Sequence, residues 1–252
     1  MRRIFLGFCL GWIFLADSSF AGEKIEVVQA EGNVSVSETP ASRAKKVASN
    51  STLPSRNVLA TGPNGRAVVR VGNVAYLVLE KNSKIEIDNS NERAGFFRQV
   101  TGMIYYAVHT LNGKERTLEV RTKSATMGIR GTRFLVADTP GRNEVGMRKG
   151  ALSVASPDAE FEIHKIAQQD EFDAFKREAQ SAVAAEKRQF EEYKADTLRE
   201  FVEYKREFSL GAERMAAFDG KRVDERPLGG ATRAEMEALE SYAGEWLQEV
   251  RD

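Results

Sequence analysis

The chain has 252 residues, 42% of them hydrophobic and 29% charged, with 37 Lys and Arg balanced by 37 Asp and Glu. A formal charge of zero supplies no field to draw the chain toward nucleic acid or anionic lipid. A single cysteine excludes a disulfide framework, and the length is ample for one sizeable core.

At the amino terminus, Arg2 and Arg3 precede an apolar block from Ile4 to Leu15 that exits through Ser19, Phe20 and Ala21. This is the pattern of a secretory signal peptide, and the block is too short to favour a bilayer-spanning helix of about 20 apolar residues. Residues 1–21 are expected to be a leader cleaved after Ala21. "RRIFL" also resembles a twin-arginine export pattern, but the strong apolar block favours the ordinary secretory route. Cys9 lies inside the block and not behind a lipobox, so no lipid anchor is expected and the mature chain keeps no cysteine. Loss of Arg2, Arg3 and Asp17 leaves about one net negative charge. The mature protein is expected in the periplasm or secreted, with no membrane span.

Residues 22–164 read as an all-β domain. "KIEVVQAEGNVSVSE" is strand, turn, strand, and "RAVVRVGNVAYLVLE" repeats the arrangement around Gly72-Asn73, so both are expected to be hairpin-like. The Lys- and Ser-rich stretch 41–50 reads as a loop. Further runs at "KIEID", "FFRQV", "MIYYAV", "TLEVRT", "RFLVAD", "EVGMRK", "ALSVA" and "FEIH" follow at the spacing of a two-layer sandwich or a solenoid-like stack of short strands. Adjacent residues on a strand point to opposite faces, so the pairs Phe96-Phe97 and Tyr105-Tyr106 each send one ring away from the core side. Such rings either form an exposed aromatic row or lie beneath a second cover.

Past His164, residues 165–252 take a helical composition of Ala, Glu, Lys and Arg. Phe172, Phe175, Ala179, Val183, Phe190, Tyr193, Phe201, Tyr204 and Phe208 fall mainly at steps of three and four, predicting a long helix over about 170–215. A linker over about 219–230 follows. Thr232 and Glu235 then read as a capping box opening a second helix over about 232–250, with Met236, Leu239, Tyr242 or Ala243, Trp246 and Val250 on one face. The candidate contact face of this region is Phe172, Phe175, Phe190, Tyr193, Phe201, Tyr204, Phe208 and Trp246. It packs either on the β domain and the second helix or on another chain, in which case a homodimer through the long helix is expected.

Nucleophilic catalysis needs an activated side chain beside a base. His109 and His164 are the only imidazoles, each at the end of an expected strand without a metal-type cluster, and the Gly-x-Ser-x-Gly elbow is absent. No catalytic residue, metal or cofactor is expected. The stretch "TMGIRGTRFLV" holds a Gly-x-x-Gly with a cation, which could clamp phosphate or could bend a main chain into a strand. Lys114, Arg116, Arg121, Lys123, Arg130 and Arg133 make its surroundings basic, with Glu115 and Glu119 interleaved as on a solvated mixed face.

"SATMGIRGTRFLVAD" resembles the signature of the FecR domain family, in which "RGT.F.V" leads into a strand. "NVLATGPNGRAVVRVGNVAYLVLEKNSKIEI", "FRQVTGMIYYAV" and "NEVGMRKGALSVAS" resemble the family's other marks in order, over about Glu26 to Ser156. One departure is "GNV" at Gly72 to Val74, where the family usually has "DGS". The resemblance implies that Gly128, Arg130, Gly131, Thr132 and Phe134 form a structural motif: the glycines turn the chain, Thr132 bonds nearby main chain, Arg130 ties the turn, and Phe134 enters the core.

Well-known members are inner-membrane regulators with a cytoplasmic segment that controls a sigma factor, one span, and a periplasmic FecR domain. This chain is expected instead to be an exported stand-alone FecR-domain protein, since no cytoplasmic segment precedes its apolar block. The leading expectation is a bacterial periplasmic binding or scaffold protein, not an enzyme, whose β domain recognises an envelope protein or cell-wall component. A sensory input subunit for iron or nutrient signalling is the alternative, and a glycan-acting enzyme comes third.

Overall fold

A computed structural model describes residues 24–54, 56–88, 94–109, 117–165 and 201–248. Nineteen strands among these form one continuous sheet folded into two layers. The first fourteen are β1 (Ile25–Glu31), β2 (Val34–Ser37), β3 (Lys45–Lys46), β4 (Ser51–Leu53), β5 (Arg56–Thr61), β6 (Arg66–Val71), β7 (Ala75–Leu79), β8 (Lys84–Asp88), β9 (Ala94–Val108), β10 (Thr117–Arg121), β11 (Thr126–Ile129), β12 (Arg133–Thr139), β13 (Arg142–Lys149) and β14 (Ala151–Ala155). After them come β15 (Phe161–Lys165), β16 (Phe201–Lys205), β17 (Glu207–Gly211), β18 (Arg214–Asp219) and β19 (Arg222–Pro227), then α1 (Gly230–Ala243) and α2 (Glu245–Gln248).

The first layer runs in the order β4-β1-β6-β7-β9-β12-β13-β18-β19-β15-β16. The second runs β3-β2-β5-β8-β9-β10-β11-β14-β17. Among the described residues only β9/β10 and β15/β19 pair in parallel. β9 belongs to both layers: residues up to Thr101 pair in the second, and residues from Gly102 pair in the first. Two stretches follow one device, a hairpin folded across the layers, with β6/β7 in the first layer above β5/β8 in the second and β12/β13 above β11/β14. The expected mainly β architecture is present, with two layers built from strands that change layer at corners.

The main core lies between the layers, where Val69, Leu77, Tyr106, Phe134 and Val136 of the first meet Leu59, Ile85, Phe97, Leu118 and Met127 of the second. A second cluster lies on the outer side of the first layer, where Val68, Tyr76, Val78, Tyr105 and Leu135 are covered by Met236, Leu239, Ala243 and Leu247 of the helices. Strands buried on both faces read as continuous apolar runs, which is why "AYLVL" shows no alternation. Tyr106 faces the main core and Tyr105 the helix, so both faces of β9 are covered here, the outer one by α1.

Several expectations need correction. "KIEVVQAEGNVSVSE" is not a hairpin, because β1 pairs with β4 and β6 in one layer while β2 pairs with β3 and β5 in the other. "FFRQV" and "MIYYAV" are one strand, "TMGI" is itself a strand, and the loop over 41–50 contains the two-residue β3. The long helix over 170–215 does not extend through 201–215, which forms β16, β17 and the start of β18. Its part over 170–200, with Phe172, Phe175, Phe190 and Tyr193, lies outside the described residues. Phe208, Leu210, Ala216 and Phe218 are core residues at strand period, and their wider spacing with Phe201 and Tyr204 only mimicked a helical stripe. The linker over 219–230 holds β19. Lys165 lies opposite Phe201 in the β15/β16 register.

Candidate functional site

The signature is a corner between layers. β11 pairs in the second layer up to Ile129, and β12 enters the first at Arg133, so Arg130, Gly131 and Thr132 carry the crossing. Gly131 sits at φ 63°, a left-handed angle that few side chains tolerate. The returning strands cross beside it at Gly150, φ 84°, where a Cβ would lie 2.7 Å from the Gly131 carbonyl oxygen. The carbonyl of Thr132 accepts a bond from the Val108 amide at 2.9 Å, which fastens the corner to β9. Phe134, fully buried, stacks on Tyr106 with centroids 4.9 Å apart and planes at 10°.

The other signature residues behave less simply. Gly128 lies inside β11 at an ordinary angle, and a Cβ there would meet the Ser153 Cβ at 3.7 Å, so neither conformation nor space demands glycine. Thr132 is buried, but its hydroxyl has no hydrogen-bond partner among the described residues, unlike the expectation. Arg130 is exposed and makes no ion pair or hydrogen bond among the described residues, so it does not tie the turn. The expected basic patch is dispersed as well. Arg121 pairs with Glu119 at 2.7 Å and lies 4.8 Å from the Phe96 ring centroid, whereas Lys123 reaches the buried Asp138 at 2.8 Å.

A second corner, at Gly102, is more tightly built. Gln99 donates to the carbonyls of Gly102 at 2.9 Å and Val136 at 3.1 Å, and its Oε1 accepts from the Tyr106 hydroxyl at 2.9 Å. Ser83 Oγ accepts from the Met103 amide and donates to its carbonyl, both at 3.1 Å, while the Ser83 amide donates to Thr61 Oγ1 at 2.9 Å. These polar groups satisfy one another inside an apolar core, which removes the cost of burying them. Burial pushes the Tyr106 hydroxyl well above the ordinary tyrosine range, so it remains a donor. Tyr106→Phe is expected to leave Gln99 Oε1 unpaired and to cost about 1–3 kcal/mol, read as a lower urea midpoint with an unchanged slope. Sequence reading marked Gly102 and Ser83 only through the family resemblance and missed Gln99, because a buried glutamine on a strand gives no local signal.

The two outer faces differ. That of the second layer is polar, with Glu86 and Arg98 paired at 3.2 Å and Arg98, Val100, Arg121, Ser153 and Glu207 exposed. On the first layer α1 is clamped by charge. Arg142 donates to Glu235 at 2.6 and 2.7 Å and to Glu144 at 2.7 Å, and these bonds hold its guanidinium above the ordinary range, the Glu235 bonds most. Thr232 and Glu235 therefore face this clamp and do not form a capping box, and the helix opens at Gly230 with no side-chain cap. Tyr105 donates to Glu240, and burial followed by that bond raises its pKa.

Tyr242, a partly buried residue of α1 with Arg66 5.4 Å from its ring centroid, is pushed up to about 12 by burial and then by Glu31. A folded-state tyrosine pKa above the unfolded value of 10.0 gives stability that is fully present below pH 10 and lost as pH rises through about 12. The melting temperature is expected to fall across that window, and the fall should be smaller in Tyr242→Phe.

Of the expected contact face, Phe201 lies on β16, Tyr204 is 66% exposed on the same strand, Phe208 is buried 5.8 Å from the Phe161 ring, and Trp246 packs partly buried on the helix-covered cluster. The structure does not bring them onto one surface. His109 follows β9, and buried His164 lies 2.9 Å from Glu162, so the two histidines are not together. No group of His, Cys, Asp or Glu suited to a metal occurs among the described residues. No helix of the described residues is long and apolar enough to cross a membrane.

Residues 57–153, from β5 through most of β14, match the family profile described as FecR protein. The chain carries a FecR domain. Both signature corners fall inside the match, while β1–β4, β15–β19 and the helices lie outside the FecR match yet extend the same two layers. Two crystal structures of a candidate anti-sigma factor from Parabacteroides distasonis ATCC 8503, at 2.50 and 1.65 Å resolution, are similar to the chain at 10% identity and TM-score 0.44. The likeness covers 68% of this chain and 59% of theirs, so the chain spans less than two thirds of their length. No curated protein matches the chain.

Proposed function

We propose that this is an exported binding protein of the bacterial envelope with a signalling-related role, in which the FecR domain recognises an envelope protein. The observation that carries the reading is the FecR match over residues 57–153. The geometry supports it in one respect: Gly131 and Phe134 are committed to a corner and a core, so recognition falls to exposed surface such as Arg130 and the polar outer face of the second layer. The leader pattern over residues 1–21 supports a periplasmic or secreted mature chain. Its action is contact with a partner and not chemistry on a substrate.

Crosslinking in living cells, followed by purification of the mature protein, tests this. One membrane-associated protein partner is expected, with a yield that changes when iron or another nutrient is withdrawn. Constitutive recovery of wall components alone, indifferent to the stimulus, would favour a static scaffold and overturn the signalling role. Release of soluble fragments from purified peptidoglycan by the mature protein would overturn the non-enzymatic one.

A further inference from the structure

The C-terminal helix carries features of a ligand more than of a structural element. α1 has 14 residues, an N-cap glycine without a side-chain cap, no acidic residue in its first turn and no basic residue in its last. A helix so short and so poorly capped is marginal in water, so its order comes from docking on the sheet. It docks by an apolar stripe, Met236, Leu239 and Ala243, set on Tyr76, Val78 and Leu135. It is held at its rim by charge of one sense. Glu235 meets Arg142 at 2.6 Å, Glu237 meets Arg148 at 3.6 Å, and Glu240 accepts from Tyr105. The reverse contact, Arg233 with Glu213 at 2.6 Å, is single.

The connection is the second observation. Gly229 and Gly230 join α1 to β19 through Leu228, which is anchored in the same apolar cluster. Gly229 has φ −67° and ψ 150°, angles open to any residue, and a Cβ there would find only Met215 Sδ, at 4.0 Å. At Gly230 a Cβ would meet nothing within 4 Å. Neither glycine is required by angle or by space. What two successive glycines supply at such a place is chain freedom.

We infer that the outer face of the first layer is a receptor for an acidic amphipathic helix, that α1 is its resident occupant on a Gly-Gly hinge, and that an acidic amphipathic helix of another protein displaces it. Charge complementarity selects the occupant: arginines rim an apolar strip, so carboxylates at i, i+2 and i+5 beside an apolar stripe fit it. Displacement swaps one helix for another on the same apolar residues and so avoids exposing them to water. This surface is separate from the one by which the FecR domain meets its partner, and either assignment can fail alone.

The test uses the full mature chain and a fluorescein-labelled peptide of residues 230–248. In Met236→Asp/Leu239→Asp the resident helix is weakened and the receptor face is intact, so the peptide is expected to bind this variant about tenfold or more tighter than the unaltered chain. A peptide with Glu235→Lys, Glu237→Lys and Glu240→Lys should bind about tenfold weaker, and raising salt should weaken the native peptide's binding. A variant that keeps its β-sheet circular dichroism yet binds no peptide overturns the inference, as does equal binding by the charge-reversed peptide.

If the variant does not fold, hydrogen exchange on the unaltered chain decides. Amides of α1 should exchange about 100-fold or more faster than those of β12, and Gly229→Ala/Gly230→Ala should slow them. Equal protection of α1 and β12 overturns the hinge.

Discussion

Gly102→Val is expected to destabilise the protein by about 4 kcal/mol, lowering the melting temperature by about 10 °C, or to prevent folding outright. Two costs add at this position. Gly102 has φ 100°, where a β-branched side chain is strained by about 1–3 kcal/mol. A Cβ there would also lie 2.3 Å from Ser83 Cα, and backbone cannot swing aside as a side-chain tip can. Moving Ser83 in turn breaks its bonds to Thr61 and to both main-chain groups of Met103. Gly141→Val separates the two costs, because Gly141 has φ 80° and a Cβ there would meet nothing within 4 Å. It should lose only the conformational part, about 1–3 kcal/mol. Equal losses for the two variants, measured by urea unfolding, would remove the close approach to Ser83 from the account.

Phe134→Ala is expected to cost about 3–5 kcal/mol, since deleting a fully buried ring loses its transfer energy and leaves a cavity that a sandwich of paired strands cannot close. The Tyr106 ring loses its stacked neighbour at 4.9 Å, and the hydroxyl that Gln99 accepts from loses its support. Phe96→Ala provides the contrast. Its ring is half-buried on the outer face of the second layer with Arg121 above it, so its loss should cost less than about 1 kcal/mol. An equilibrium urea midpoint for Phe134→Ala close to that of the parent would sink the reading of the signature as a core-directing corner.

How far the fold could be read in advance depended on the kind of signal each element carries. β6 and β7 were legible because the turn at Gly72-Asn73 separates two apolar runs, and Gly72 does take φ 50° although "GNV" replaces the family's usual "DGS". β1 and β2 were recognisable as strands but not as occupants of different layers, because a glycine corner and a glycine hairpin turn look alike in sequence. Residues 201–215 were misread since Phe201, Tyr204 and Phe208 fit the helical period while Phe208 and Leu210 fit the strand period, and a short run satisfies both. The candidate site was legible as a motif, in that Gly131 and Phe134 do what the resemblance implied. Gly128, Arg130 and the Thr132 hydroxyl do not, and no spacing could show which of five neighbouring residues carry the bend.

By itself the sequence determined a β-rich chain, the positions of most strands, the apolar face of α1 and the FecR signature, because these rest on local periodicity and on residues with special backbone freedom. The tertiary structure decided which layer each strand joins, that Gln99 and Ser83 fasten the Gly102 corner, and that Glu235 clamps Arg142 instead of capping its own helix. Each of those outcomes includes a partner 20 or more residues distant, and the hydrogen bonds and burial that select it exist only once the two layers have closed.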